Sequence, residues 1–201
     1  VTEDALEQAV AKAAEGGTFE SSYGDYAMTT AKNAASGAAV AIDVETGEVL
    51  AMASFPDYDP NDFAVAVSEE KWASLQQENP YDPMSPAPMY NTAALTAVQP
   101  GSAFKPVTAL AAMSCGLDEK KYLYDDGAVT LGERTYGCFL WNEKNETHGY
   151  VSLREALKVS CNYYFFDIAA GKDFASGTSL DYDRRISNET ITDTAKMLGL
   201  G

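Results

Sequence analysis

The stretch Gln99-Pro100-Gly101-Ser102-Ala103-Phe104-Lys105-Pro106-Val107-Thr108-Ala109-Leu110 places a serine and a lysine three residues apart at the head of an apolar run. The run continues to Cys115 and is stopped by Gly116, which predicts a helix over 102–115. Pro106 then falls in the first turn, where a missing N–H costs little. Residues three apart at a helix start share a face, so Lys105 Nζ is within reach of Ser102 Oγ. A serine hydroxyl is a poor nucleophile until a neighbouring base takes its proton. For lysine to be that base near neutrality its pKa has to fall from about 10.4 toward 7, a differential interaction of about 4 kcal/mol. Burial and the positive end of a helix both act in that direction. Ser-x-x-Lys alone is common by chance, so a second element has to support it.

That element is Ser160-Cys161-Asn162, 58 residues beyond Ser102. It lies between two predicted helices. The first opens on Ser152-Leu153-Arg154-Glu155, a capping box, and runs to about Val159. The second spans Asn162 to Ala170 and is stopped by Gly171. The plain structural alternative for Asn162 is a helix cap, a role compatible with a chemical one.

Toward the N-terminus, residues 38–44 and 48–53 flank the turn Glu45-Thr46-Gly47, a strong hairpin signal. Ahead of it, Thr2 followed by Glu3 and Asp4 predicts a capped amphipathic helix to about Glu15, then a Gly/Ser/Tyr-rich stretch. Residues 55–90 carry Pro, Asp and Asn at short intervals and read as irregular, with one short helix near Glu69 to Gln76. Residues 121–150 read as short strands and loops, and Thr190 to Leu198 as a helix closed by Gly199. No repeat and no linker divides the chain. One hairpin followed by helices leaves a two-stranded sheet, which is marginal alone. The fold class is therefore α+β, a hairpin plus a helical subdomain, incomplete within residues 1–201.

Composition excludes some roles. Hydrophobic residues make up 46% and charged residues 22%, which suits a folded globular chain. Fourteen basic against thirty acidic residues give a net charge of −16. Such a surface repels nucleic acid and anionic lipid, because phosphate binding depends on Lys and Arg displacing counterions. No apolar run approaches the roughly 18–20 residues that span a bilayer, and the first residues lack the features of a signal peptide. Cys115, Cys138 and Cys161 are too few and too scattered for a disulfide scaffold, and an odd count points to a free thiol or a metal ligand. The sequons at Asn145 and Asn188 carry no weight as three-residue patterns.

The segment Gln99–Leu110 resembles the nucleophile segment of class B penicillin-binding proteins, whose pattern is Pro-Gly-Ser-x-Phe-Lys-Pro. The similarity extends to Val40–Phe55 as the family's opening hairpin, to Tyr58-Asp59-Pro60-Asn61, and to Ser152–Phe166 leading through the second motif. It covers most of the chain, and Ser-x-x-Lys with Ser-x-Asn belongs to this superfamily. The resemblance implies the α/β sandwich of the serine β-lactamase/transpeptidase type. It also implies a D,D-transpeptidase that cross-links peptidoglycan stem peptides and is acylated by β-lactams. Ser102 would be acylated, Lys105 would accept its proton, and Ser160 would relay a proton. Asn162 would hold Lys105 and the substrate amide, and the Ser102 N–H would form half of an oxyanion hole. No cofactor is required for such catalysis. The setting implied is the bacterial cell envelope, at the outer face of the cytoplasmic membrane, with the anchor outside this chain and cell-wall synthesis proteins as partners.

No Lys-Thr-Gly or Lys-Ser-Gly triad occurs; Gly171-Lys172-Asp173 and Ser176-Gly177-Thr178 do not fit. The family carries that triad on a later strand, so residues 1–201 are expected to be the N-terminal part of the domain, weak or inactive alone. The open edge of its sheet favours pairing with a second copy.

Asp125, Cys138, His148 and Cys161 are separated by 13, 10 and 13 residues and are all metal-ligand types. Some elongation-type members carry a zinc beside the Ser-x-Asn loop, so the resemblance implies a structural Zn²⁺ on these four. Asp126 is the alternative carboxylate, and a buried cysteine pair with a surface histidine is the alternative reading. Cys115, on the apolar helix, is expected in the core. Two other functions compete: a β-lactamase or β-lactam sensor of the same superfamily, and a non-catalytic cell-wall scaffold.

Overall fold

The computed structural model describes residues 1–64, 66–82 and 85–200. Two compact units divide the chain, Val1–Val98 and Gln99–Gly201. The sequence shows no linker at this division, because it reflects which elements pack together and composition does not register that.

In the first unit, helix α1 (Thr2–Glu15) is followed by strands β1 (Gly17–Ser21), β2 (Gly24–Met28), β3 (Gly37–Ile42) and β4 (Val49–Phe55). Val1 is the N-cap of α1 and Thr2 is already helical, so the expected Thr2 cap is not formed. The β1–β2 hairpin falls in the Gly/Ser/Tyr-rich stretch, for which the sequence suggested no element. Its residues alternate little in burial, so no period-two pattern advertised it. The expected β3–β4 hairpin pairs Val40 with Met52, and Asp43 Oδ1 accepts the N–H groups of Glu45 and Thr46 at 2.8 Å each to close its turn. A Cβ on Gly37 would lie 2.9 Å from Val10 Cγ2, so the bare glycine lets α1 lie close on β3. A 3₁₀ turn (Pro60–Phe63) and the short helices α2 (Glu69–Ser74) and α3 (Thr92–Leu95) complete this unit. Ser54 Oγ accepts the Ala93 N–H at 3.0 Å and ties α3 to β4.

The second unit holds the main core. It opens with a 3₁₀ turn (Gly101–Phe104) and α4 (Lys105–Ser114). The single helix expected over 102–115 is split, and the reason is Pro106. With no N–H it cannot bond the Ser102 carbonyl, so Lys105 N–H takes that carbonyl in a tighter i→i+3 bond. Beyond α4 come β5 (Leu123–Asp125), β6 (Ala128–Leu131), β7 (Arg134–Gly137), α5 (Phe139–Lys144), β8 (Gly149–Val151), α6 (Leu153–Lys158), α7 (Asn162–Ala170) and α8 (Asn188–Met197). The last begins two residues earlier than read, because Ser187 caps it through Thr190 N–H at 3.2 Å.

Strands β5 and β8 pair antiparallel, as do β6 and β7. The core gathers Ala109, Ala111, Ala112 and Cys115 from α4 against Tyr163, Tyr164, Phe165 and Ile168 from α7. The run of alanines keeps α4 thin, which admits the large rings of α7. Gly171, at φ 66°, stops α7 in the left-handed conformation that only glycine adopts without strain. Cys115 is fully buried, as expected.

Candidate active site

The 3₁₀ turn decides where Ser102 stands. With three residues per turn, Ser102 and Lys105 eclipse one another instead of splaying apart. Ser102 is exposed and Lys105 half-buried. The second motif arrives through the end of α6. Its predicted capping box is present, with Ser152 and Glu155 bonding each other's backbone N–H. At its other end Cys161 N–H bonds the Ala156 carbonyl at 2.9 Å, and Ser160 N–H bonds the Leu157 carbonyl at 3.2 Å. That pair of bonds is a Schellman motif, whose reversal requires a left-handed residue, usually glycine. Ser160 occupies that place at φ 53°. A left-handed serine costs on the order of 1–2 kcal/mol and swings both its hydroxyl and its carbonyl toward Lys105.

Lys105 Nζ donates to Ser160 O at 2.6 Å, to Asn162 Oδ1 at 2.7 Å and to Ser160 Oγ at 2.9 Å. Ser160 Oγ donates in turn to Ser102 Oγ at 3.0 Å. The four residues therefore form one hydrogen-bonded chain in which Ser160 stands between lysine and Ser102. Two groups here gave no chemical signal in the sequence. The Ser160 carbonyl makes the shortest contact, and Phe165 presents its ring 5.3 Å from Lys105 Nζ. Only the i+3 spacing from Asn162 hinted that Phe165 would share its face. Burial depresses the Lys105 pKa, while the negative charges that Cys161 and Cys138 can carry act in the opposite sense.

Directly behind the loop lies the second constellation. Ligand-type atoms of Asp125, Cys138, His148 and Cys161 all lie within 4.8 Å of one another. Asp125 and both cysteines are buried, and Asp126 is exposed on the other side of the strand end, so Asp125 is the carboxylate that joins this cluster. Asp125 Oδ2 accepts from His148 N–H at 3.0 Å and lies 2.7 Å from His148 Nδ1, while Oδ1 accepts Gly127 N–H at 2.9 Å. Burial pushes the Asp125 carboxyl up, but the bonds from His148 and Gly127 outweigh it and hold the pKa below the ordinary value. Cys138 Sγ is 3.6 Å from His148 Nδ1 and accepts the Asn162 N–H at 3.3 Å. Cys161 Sγ donates to Asp125 Oδ2 at 3.4 Å and accepts Tyr164 N–H at 3.5 Å. Burial drives the Cys161 thiol far above the ordinary range.

This donor set fits a divalent metal. Three potential anions and an imidazole converge in a closed pocket, and a tetrahedral zinc would set them about 3.3–3.8 Å apart. Of the spacings above, 3.4 and 3.6 Å fall in that range and the 2.7 Å Asp125–His148 contact would have to open.

A third buried feature shares α7. Asp167 is fully buried; its Oδ1 accepts Phe174 N–H at 3.0 Å, and its Oδ2 has no partner among the described residues. Burial raises its pKa to about 7.

Residues 37–201 match the family described as the penicillin binding protein transpeptidase domain. The chain is 33% identical over 134 residues to the peptidoglycan D,D-transpeptidase MrdA of Acinetobacter baumannii, covering 66% of this chain and 19% of that protein. It is similar to the penicillin G acyl-enzyme complex of penicillin-binding protein A from Mycobacterium tuberculosis, with a TM-score of 0.64 and 26% identity, covering 97% of this chain and 38% of that one. It is also similar to the penicillin-binding protein PBP2 of Helicobacter pylori in complex with MreC, with a TM-score of 0.64 and 26% identity, covering 81% of this chain and 26% of that one. The chain thus spans about a fifth to a quarter of the length of the curated relatives it matches. Among the described residues no helix is long and apolar enough to cross a membrane.

Proposed function

The chain belongs to the penicillin-binding protein transpeptidase domain family, and from that premise we propose that it carries the nucleophile half of a D,D-transpeptidase site. The observation that supports this most is the continuous chain Ser102–Ser160–Lys105–Asn162. In the reaction, Ser102 Oγ attacks the carbonyl of the penultimate D-Ala of a stem peptide, and the terminal D-Ala leaves as the amine. An amine of a neighbouring stem then takes the acyl group and frees the serine.

In the proposed mechanism Lys105 is the base. Three oxygen acceptors hold it as an ammonium in the resting arrangement; burial favours its loss of a proton. Once Lys105 is neutral, the Ser160 hydroxyl reverses, accepting the Ser102 proton and passing its own to Nζ. The proton then returns by the same path to the departing amine. Asn162 keeps Nζ in register, and its amide nitrogen remains to meet the substrate. The Ser102 N–H contributes to an oxyanion hole. A β-lactam would enter as a mimic of the D-Ala-D-Ala amide and stall as the acyl-enzyme.

Asp125, Cys138, His148 and Cys161 would hold a structural zinc, and the catalytic residues need no cofactor of their own. The metal would supply rigidity: bound at Cys161, it fixes the residue between Ser160 and Asn162. The proposed setting is the outer face of the cytoplasmic membrane in the cell envelope, with stem peptides as substrates and cell-wall synthesis proteins as partners. The two-stranded β3–β4 sheet also favours self-association of this chain. The test is adduct mapping. A fluorescent penicillin should label the full-length protein on Ser102, and Ser102→Ala should remove the label. An adduct on another serine would contradict the assignment.

A further inference from the structure

We propose that Cys138 and Cys161 are an oxidisable pair that closes to a disulfide in the metal-free chain, and that this bond loosens the loop presenting Ser160 and Asn162. Both thiols are free and fully buried, with their sulfur atoms within 4.8 Å of each other. A disulfide needs about 2.05 Å between sulfurs, so the two have at most about 2.8 Å to close between them. Cys115, the remaining cysteine, is not part of this group.

The coupling to the loop is direct. Cys138 Sγ accepts the N–H of Asn162, the residue that holds Lys105 Nζ, and Cys161 Sγ accepts the N–H of Tyr164 one turn into α7. Drawing the sulfurs together displaces one or both of them, and each holds an amide in the first turn of α7. Cys161 stands between Ser160 and Asn162, so its displacement moves both neighbours.

The chemistry is thiol–disulfide exchange with a low-molecular-weight disulfide. One protein thiol attacks it, forms a mixed disulfide and expels a small thiol. The second protein thiol then displaces the other small thiol. Two protein thiols are oxidised, one small disulfide is reduced to two thiols, and the two protons leave on the products. Burial of both sulfurs means that exchange runs through a transient opening of the packing around them. An ion held by all four side chains opposes that opening. The pairing rests on the thiol positions alone; protection by zinc rests on the metal reading given above.

The experiment treats the chelator-stripped chain with oxidised glutathione and maps peptides by mass spectrometry. The expected product is a Cys138–Cys161 cross-link with Cys115 free, reversed by a phosphine reductant. Faster hydrogen exchange at the Asn162 and Tyr164 amides should accompany it. Zinc at about 100 times its dissociation constant should slow the reaction about 100-fold. Cys138→Ser should form no internal disulfide, and Cys115→Ser, which leaves the pair intact, should form it as the parent does. No cross-link, or one through Cys115, overturns the proposal. Unchanged exchange at Asn162 and Tyr164 in the oxidised chain overturns the coupling. A cross-link that zinc fails to slow upholds the pair and removes the metal.

Discussion

The Lys105 chain and the Asp125 cluster are built on the same three residues yet face opposite conditions. Ser160 and Asn162 point their polar atoms at a half-buried lysine and an exposed serine, where solvent and substrate can arrive. Cys161, between them, turns into a pocket where Asp125 and Cys138 are buried completely. The first constellation has one cation and a row of neutral oxygens. The second has three potential anions around one histidine. On the function proposed above, the two faces of one loop would divide the work, the open one serving proton movement and the closed one holding the aim.

The largest expected effect separates the two directly. Lys105→Ala should slow acylation of the full-length protein by about 100- to 10,000-fold, because Ser102 loses its base. Metal content should not change. If zinc is lost as well, the two constellations are not separable. The converse substitutions, Cys138→Ser and His148→Ala, should strip the proposed zinc and lower Tm by about 5–10 °C, since its binding energy would appear as folding energy. Acylation should slow while the adduct remains on Ser102. Wild-type melting in both variants would reduce the cluster to ordinary packing.

A smaller effect comes from α7, which carries one end of both sites. Asp167 has its pKa raised by burial from an ordinary carboxyl value to about 7. The folded chain therefore holds a proton that the unfolded chain releases between roughly pH 4 and 7, so stability should fall as pH rises through that window and level off above it. Asp167→Asn keeps the acceptor for Phe174 N–H and should flatten this dependence in denaturant melts from pH 4 to 8. A slope that persists in the variant would place the titration elsewhere. The smallest effect tests the cost of the Schellman serine. Ser160→Gly should stabilise the fold by about 1 kcal/mol while breaking the Ser102–Lys105 connection. A loss of stability would show that the hydroxyl contacts outweigh the backbone strain.

These sites differ in how much of them a reader of the sequence could see. The pair Ser102 and Lys105 was legible because a helical period and a Pro-Gly start fix their spacing locally. Its 3₁₀ geometry was not, since the consequence of Pro106 falls on a bond made by Lys105. The capping box at Ser152 and the Gly171 stop were readable for the same local reason, and together they delivered the Ser160–Asn162 loop. The left-handed turn at Ser160 was hidden, because serine there breaks the glycine rule that would have announced it. In the cluster, Asp125, Cys138, His148 and Cys161 were candidates by residue type, but choosing Asp125 over Asp126 required knowing which way the end of β5 faces. Phe165 and Asp167 gave no chemical signal, since an apolar helix conceals both a ring beside a lysine and a carboxyl in the core. The β1–β2 hairpin escaped because burial, the source of sheet patterning, hardly distinguishes its two faces.

The claim that the closed cluster aims the open chain is tested most directly by following acylation of Ser102 with a fluorescent penicillin in the full-length protein. The rate is measured as purified, after chelation, and after zinc is restored. About one zinc per chain is expected, with a rate that falls about 10- to 100-fold on chelation, recovery with zinc, and the adduct on Ser102 throughout. Metal-free protein that acylates at the original rate would contradict that claim.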